Sequence, residues 1–194
     1  MTEHNNESLP QEQRKTKPKI EDLIPVYIAG DMQKNAFEFV TYMRESKMSP
    51  GWSGVANSWK ANYKGKTICN ITLKWCDWVD NNKYCWFVIP YLHHLSQYEE
   101  AIINEGLQDL IWNNQQYCVH KDGSGRTGVG CNPNKACAGG ENRTFYGKEI
   151  VGVCRCSAPA RFYDPNEATI NGIKRLLELE REAREGSMAI NQNK

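Results

Sequence analysis

The chain has 194 residues, of which 40% are apolar and 24% are charged, and its formal net charge is +1. This length and composition indicate a globular protein and exclude a largely disordered chain. The near-neutral charge favours neither a nucleic-acid partner nor an anionic membrane, because both recruit a basic surface.

The N-terminal sequence MTEHNNESLPQEQRKTKPKIEDL lacks the apolar stretch of a secretory signal. No other segment approaches the roughly 20 apolar residues that span a bilayer. These features predict a cytoplasmic protein with no membrane partner, in a compartment that keeps thiols reduced. Because residues 1–22 are polar and contain prolines, we expect a disordered tail there, and a second flexible tail over 186–194.

The first half of the chain predicts one helix followed by three strands. Apolar residues at helical spacing predict the helix over 33–46, with Asp31 as its N-cap. Alternating or continuous apolar residues predict strands over 57–63, 67–75 and 84–89.

A second helix is expected over 96–114. Ser96 and Glu99 have the spacing of a capping box at its start. Gly106 falls inside this helix, where it costs about 1 kcal/mol relative to alanine. We explain it by close packing of the helix against the sheet.

The second half also predicts a return strand and a last helix. Residues 145–156 are expected to form a strand or a short hairpin, turned at Gly147 or Gly152. The last helix is expected over 166–184. Charged residues at i,i+4 spacing, including the Glu180/Arg184 pair, are expected on its exposed face.

This order of elements predicts an α+β fold. We expect a two-layer domain, with an antiparallel sheet of three to five strands, helices on one face and a Cys/Gly-rich insert. A single domain is expected over 23–185, and the insert is expected over 118–144.

Five of the eight cysteines cluster in this insert and just after it. A structural zinc site needs four ligands in tetrahedral geometry, usually thiolates with some imidazoles. Zinc is favoured over an iron–sulfur cluster, because the close cysteine spacings typical of cluster ligands are absent. The predicted zinc ligands are Cys118, Cys131, Cys137 and Cys154, with His120 and Cys156 as alternates.

Other roles for these thiols remain open. Cys131 and Cys137 could form a disulfide, or the cysteines could have no joint role. One of them could serve a thiol-dependent enzyme or redox protein, although no catalytic signature surrounds any cysteine or histidine, and no catalytic residue is assigned. A third alternative is a zinc-stapled module that binds protein or nucleic acid.

Aromatic residues on the predicted sheet suggest a pocket for a small apolar or aromatic ligand. Its expected wall consists of Trp59, Tyr63, Trp75 and Trp86. The alternative is ordinary packing of these rings in the core. The adjacent His93 and His94 are expected in a solvated loop, since neighbouring histidines cannot both face one metal from a regular element.

Four stretches carry a family resemblance: YMRESKMSPGWSGVANSWKANYKGKTICNI, IINEGLQDLIWNNQQYC, TFYGKEIVGVC and PNEATINGIKRLLEL. Over roughly residues 35–180 the chain resembles a group of conserved bacterial proteins, frequent among Firmicutes, with a Cys-rich segment before a Phe-x-Gly-Lys-Glu motif. More remotely it is similar to frataxin-like iron-chaperone domains and to drug-binding GyrI-like domains. The remote likeness implies an α+β fold and a ligand pocket, and it implies no catalytic residue.

These observations predict a cytoplasmic, non-enzymatic binding domain. Its Cys-rich segment would be held by a structural zinc, and its aromatic sheet face would offer the ligand pocket.

Overall fold

In this computed structural model the described residues are 9–73, 84–115, 140–145, 147–154 and 160–192. The chain divides into two compact units, one ending at Phe87 and one beginning at Val88, where the sequence predicts a single domain. Helices combined with a five-stranded antiparallel open sheet confirm the predicted α+β class.

The elements of the first unit are α1 (Leu9–Thr16), α2 (Ile20–Tyr27), α3 (Gly30–Glu45), β1 (Pro50–Trp52), β2 (Ser58–Tyr63) and β3 (Lys66–Leu73). Helix α2 contacts α3 and the strands β1 and β3. The strands β1 and β2 pair antiparallel, as do β2 and β3, and Trp59 lies opposite Trp52 on one side and Ile71 on the other.

The remaining elements begin with a strand that crosses the boundary between the units. They are β4 (Trp86–Pro90), a 3-10 helix (Leu95–Gln97), α4 (Glu99–Asn104), α5 (Gln108–Trp112), β5 (Gly140–Phe145), β6 (Lys148–Cys154), β7 (Phe162–Tyr163) and α6 (Glu167–Gln192). The large sheet has the order β1-β2-β3-β4-β7, and β5 and β6 form a separate two-stranded sheet.

Helix α3 confirms the first predicted helix. Its apolar stripe, which includes Phe39 and Met43, is buried. The predicted N-cap is wrong, since Ala29 occupies that position and Asp31 lies in the first turn. There the carboxylate still interacts favourably with the positive end of the helix dipole.

The three predicted strands are also confirmed, each with slightly different ends. Strand β2 begins at Ser58, and Lys64 and Gly65 both adopt positive φ in the turn to β3. Residues 74 and 75 of the second predicted strand lie outside the described residues. All five residues of β4 are buried, as its continuous apolar run predicts.

The polar segment over 9–22 contains α1 and the start of α2 and is packed, which corrects the expected tail. The side-chain amide of Gln13 donates to Oδ1 of Asn57 (2.6 Å), and the Asn57 backbone N–H donates to Oε1 of Gln13 (2.7 Å). Both side chains are buried, and so is Ile20. The Trp59 indole N–H donates to the Pro18 carbonyl (2.9 Å). This segment therefore belongs to the first unit.

The second predicted helix is broken by Gly106, and the packing explanation for this glycine is wrong. Gly106 adopts φ +67, and open space surrounds the position of a Cβ. The N–H of Leu107 donates to the Ile102 carbonyl (2.9 Å), and the N–H of Gly106 donates to the Ile103 carbonyl (3.2 Å). This Schellman pattern ends α4, because a left-handed residue satisfies the last carbonyls and turns the chain. The expected capping box is absent, since Tyr98 is the N-cap of α4.

Helix α6 confirms the last predicted helix and extends it to Gln192, which corrects the expected tail over 186–192. The Asn166 side chain accepts the Thr169 N–H (2.9 Å) and caps its start. Its apolar stripe, formed by Ile170, Ile173, Leu176 and Leu177, is buried. A Cβ on Gly172 would lie 2.3 Å from Cδ2 of Leu110. The Leu110 side chain would therefore have to shift to admit a larger residue where α6 passes α5.

Of the alternatives predicted for residues 145–156, the structure has the hairpin, formed by β5 and β6 and turned at Gly147, which adopts φ +74. The hairpin begins at Gly140, earlier than predicted. The first of these strands is Gly140–Phe145, so the last residues of the predicted insert, 140–144, belong to a strand. Gly140 lies opposite Cys154 in this hairpin.

We expect Gln13→Ala to lower the free energy of unfolding by about 2 kcal/mol, because it leaves buried polar groups of Asn57 without partners. Urea unfolding of the full chain measures this change. Glu12→Ala, on the exposed side of the same helix, is the matched control and should stay near the wild type. Equal stabilities of the two variants would show that α1 contributes nothing through Gln13.

We expect Gly106→Ala and Gly186→Ala to change stability in opposite directions. The first forces alanine into a left-handed conformation and should cost about 1 kcal/mol. Gly186 lies exposed within α6 with open space around it, so alanine there should add about 0.5–1 kcal/mol. Urea unfolding of both variants checks the signs, and a stabilising Gly106→Ala would contradict the observed helix end.

Candidate functional site

A buried carboxylate on α6 is the centre of the most connected polar cluster in the described residues. Glu180 is 0% exposed, and no other aspartate or glutamate whose side chain is described is buried. A carboxylate without water must accept hydrogen bonds from protein donors, since an unpaired buried charge is strongly destabilising. Its surroundings therefore decide what this site can do.

Four donors reach the Glu180 carboxylate. Nδ1 of the His94 ring lies 2.9 Å from Oε1 and is assigned as a donor, because an ionised carboxylate only accepts hydrogen bonds. Oε1 also accepts from Nε of Arg184 (2.8 Å). Oε2 accepts from the backbone N–H of His94 (3.0 Å) and from the hydroxyl of Tyr98 (2.9 Å). His94 thus holds both oxygens, one through its ring and one through its backbone.

Local structure places each donor. His94 and Tyr98 are the N-cap residues of the 3-10 helix and of α4, so both lie where the chain after β4 turns into helices. Arg184 lies one helical turn after Glu180. The Arg184 side chain also donates from Nη2 to the Tyr91 carbonyl (3.3 Å). Helix α6 and the β4–α4 connection therefore share one hydrogen-bond network.

The pKa of Glu180 lies below its usual value. Burial alone raises this pKa, but the hydrogen bonds from the His94 ring, Arg184, the His94 backbone and Tyr98 together outweigh burial. The carboxylate is therefore ionised at neutral pH. The sequence expectation that Glu180 and Arg184 decorate an exposed face is wrong, because Arg184 is only 5% exposed.

The two adjacent histidines differ. His93 is exposed, as expected for a solvated loop, and its ring stacks on Tyr91 with 6.0 Å between centroids. The His94 side chain is only 27% exposed and is bound to Glu180. The expectation of a solvated loop is thus confirmed for His93 and corrected for His94.

A signal for this cluster exists in the sequence. Glu180 and Arg184 continue the apolar stripe of Ile173 and Leu177 at helical spacing, so the periodicity that marks the core also covers them. Opposite charges at i,i+4 are usually read as surface pairs. The position of the pair on the stripe is the better indicator here.

The predicted zinc ligands fall mostly outside the described residues. This applies to Cys118, Cys131 and Cys137, and also to the alternates His120 and Cys156. Cys154 is the last residue of β6. Within the described ranges, no group of three or more His, Cys, Asp or Glu side chains could hold a metal ion.

The structure does describe the chain on both sides of the Cys-rich segment. Gln115, shortly before Cys118, pairs antiparallel with Ala160, shortly after Cys156. The N–H of Arg161 donates to the Asn114 carbonyl (2.9 Å). The two ends of the segment therefore lie side by side.

Three of the four residues predicted to line an aromatic pocket are buried in the first unit. Trp59 is 0%, Trp86 1% and Tyr63 7% exposed, and Trp75 lies outside the described residues. The rings of Trp86 and Phe39 have centroids 6.4 Å apart. Burial of this degree fits the alternative reading, in which these rings pack in the core.

The two remaining described cysteines lie away from the cluster in sequence. Cys69 is fully buried in β3, and Cys85 is half-buried. Neither forms a disulfide.

Comparison of the chain with protein-family models, with curated proteins and with solved structures finds no match. The resemblance to the Firmicutes group therefore stays a prediction. Among the described helices, none has the length and apolar character that crossing a membrane requires.

We expect the Glu180 carboxylate to make stability depend on pH. Because its pKa is lower in the folded state, its contribution is complete above the unfolded pKa of about 4.3 and is lost as the pH falls through the folded pKa. Glu180→Gln should cost about 3 kcal/mol at pH 7, since Arg184 then stays buried without its carboxylate. The difference from the wild type should shrink in acid.

Urea unfolding between neutral and acidic pH measures this dependence. Glu182→Gln, at an exposed position on the same helix, is the control and should follow the wild-type curve. A constant difference between Glu180→Gln and the wild type down to the lowest pH would contradict a lowered pKa.

Proposed function

We propose that this chain is a non-enzymatic binding protein whose Cys-rich segment is stapled by a structural zinc ion. The proposed ligands are Cys118, Cys131, Cys137 and Cys154. Zinc bound by four thiolates is tetrahedral and closed, and it contributes folding free energy to segments that lack a core of their own. Reduced thiols are required, in keeping with the cytoplasmic location that the sequence predicts.

The pairing at the ends of the segment is the observation that supports this proposal. Gln115 and Ala160 close the segment into a loop, so the residues that follow Gln115 and those that precede Ala160 start from neighbouring points. Cross-links and metal ions stabilise most when the closed loop is long, because such a loop loses the most chain entropy on closure. A zinc ion bound within this loop would therefore add substantially to the stability of the folded chain.

The β5–β6 hairpin supports the pairing of two particular ligands. Gly140 follows closely after Cys137 and lies opposite Cys154. Antiparallel partners have Cα atoms about 4.5–5.5 Å apart, which limits the distance between these two cysteines to a short chain segment. Zinc–sulfur bonds of about 2.3 Å require such proximity.

We expect about one zinc ion per chain in protein purified without metal-affinity steps. Cys131→Ser, Cys137→Ser and Cys154→Ser should each lose most of this zinc. Cys85→Ser, which changes a cysteine outside the segment, is the matched control and should keep it. Elemental analysis by mass spectrometry gives the metal content, and chelation should lower the thermal stability of the wild type.

A different result would favour the alternatives. Protein without bound metal, in which a single thiol of the segment is alkylated much faster than the others, would contradict the zinc staple and support a thiol-dependent activity.

A further inference from the structure

The His94 imidazole has one nitrogen committed to the protein. Its Nδ1 lies 2.9 Å from Oε1 of Glu180, while the side chain as a whole keeps 27% of its surface exposed. Within the described ranges, Nε2 of this ring makes no hydrogen bond. Nε2 is therefore the ring nitrogen that the described part of the chain does not use.

The Glu180 carboxylate determines which tautomer the His94 imidazole adopts. An ionised carboxylate only accepts hydrogen bonds, so the Nδ1 atom beside it carries the hydrogen. In the neutral imidazole the lone pair then belongs to Nε2. Carboxylate–imidazole pairs of this kind orient histidines that act as proton acceptors or as ligands.

The carboxylate is itself held in place. Tyr98 and the His94 backbone fix Oε2, while Arg184 shares Oε1 with the imidazole. Rotation of the carboxylate would break several of these bonds at once, and Arg184 is further held by the Tyr91 carbonyl. His94 consequently has little freedom to change its orientation.

Stability alone is a weak reason for such a network. Apolar side chains of similar volume often replace a buried ion pair with no loss of stability. An apolar residue at position 180 could connect α6 to the β4–α4 connection, but it could not fix the tautomer of a half-buried imidazole. The orientation of His94 is the property that needs Glu180.

We propose that His94 is a ligand-binding proton acceptor, with Glu180 as its positioning residue. The class of ligand is a small molecule that presents a hydroxyl or thiol group to Nε2. In the transfer step the O–H or S–H bond breaks, the electron pair stays on the oxygen or sulfur, and the proton bonds to Nε2. The imidazolium that forms faces the Glu180 carboxylate. This site is independent of the proposed zinc.

Nitrogen-15 NMR of the full chain tests the orientation, since it distinguishes the two tautomers of each histidine. Wild-type His94 should carry its hydrogen on Nδ1. Tyr98→Phe removes one donor from Oε2 and leaves the imidazole contact intact, so it should keep this tautomer. Glu180→Gln should lose it. A wild-type His94 with its hydrogen on Nε2 would overturn the proposal, whatever the variants do.

Acylation by diethyl pyrocarbonate, followed by peptide mass spectrometry, tests whether Nε2 is available. The exposed His93 serves as the control within the same peptide. His94 should react in the wild type and in Tyr98→Phe, and several-fold more slowly in Glu180→Gln, while the rate at His93 stays constant. A purely structural Glu180 would leave the ratio of the two rates unchanged in every folded variant, and this outcome would overturn the proposal.

Phenol and anisole test the ligand class, because they have similar shapes and only phenol has an O–H group. Titration with phenol should shift the Nε2 resonance of His94, and titration with anisole should not. Equal shifts with both compounds, or none with either, would overturn hydroxyl recognition at this position.

Discussion

A carboxylate removed from water must find its hydrogen-bond donors within the protein, and Glu180 does so by taking all four from two short stretches of chain. His94 and Tyr98 come from the connection that follows β4, and Arg184 comes from the next turn of α6. Each bond has a direction, so together they restrict the rotation of α6 about its axis as well as its distance from the connection. Apolar packing along the stripe of α6 adds free energy without this directional restriction.

In the first unit, buried polar groups also find their hydrogen-bond partners within the protein, but these groups are uncharged. Gln13 and Asn57 exchange two hydrogen bonds, although 44 positions separate them in sequence. Asn57 adopts a positive φ of 54, a conformation that asparagine tolerates better than most residues. The short polar helix α1 is thereby attached to the turn between β1 and β2. In both units, polar side chains determine where an element attaches, and apolar side chains supply most of the burial.

This division explains which parts of the structure could be predicted from the sequence. The apolar spacing of α3 and α6 and the alternation along β3 are local patterns, and they were predicted correctly. The turn at Gly147 was one of two glycine turns left open, the other being at Gly152. Helix α1 was missed because its only buried polar residue, Gln13, depends on a partner far along the chain. Gly106 was given the wrong role. A glycine that ends a helix and a glycine that permits close packing cannot be distinguished in the sequence alone. For the cluster around Glu180, the helical periodicity places Glu180 and Arg184 on the buried stripe of α6. They were nevertheless predicted to be exposed, because charged residues usually lie on the surface.

Gly172 carries a consequence for how substitutions in this protein should be interpreted. Any residue with a Cβ there would meet the end of the Leu110 side chain, which would have to shift. Glu180 lies about two turns further along α6, on the same helix as this contact. A substitution at position 172 therefore acts first on the packing of Leu110. A loss of stability in such a variant would report on this contact and would not place position 172 in the cluster around Glu180.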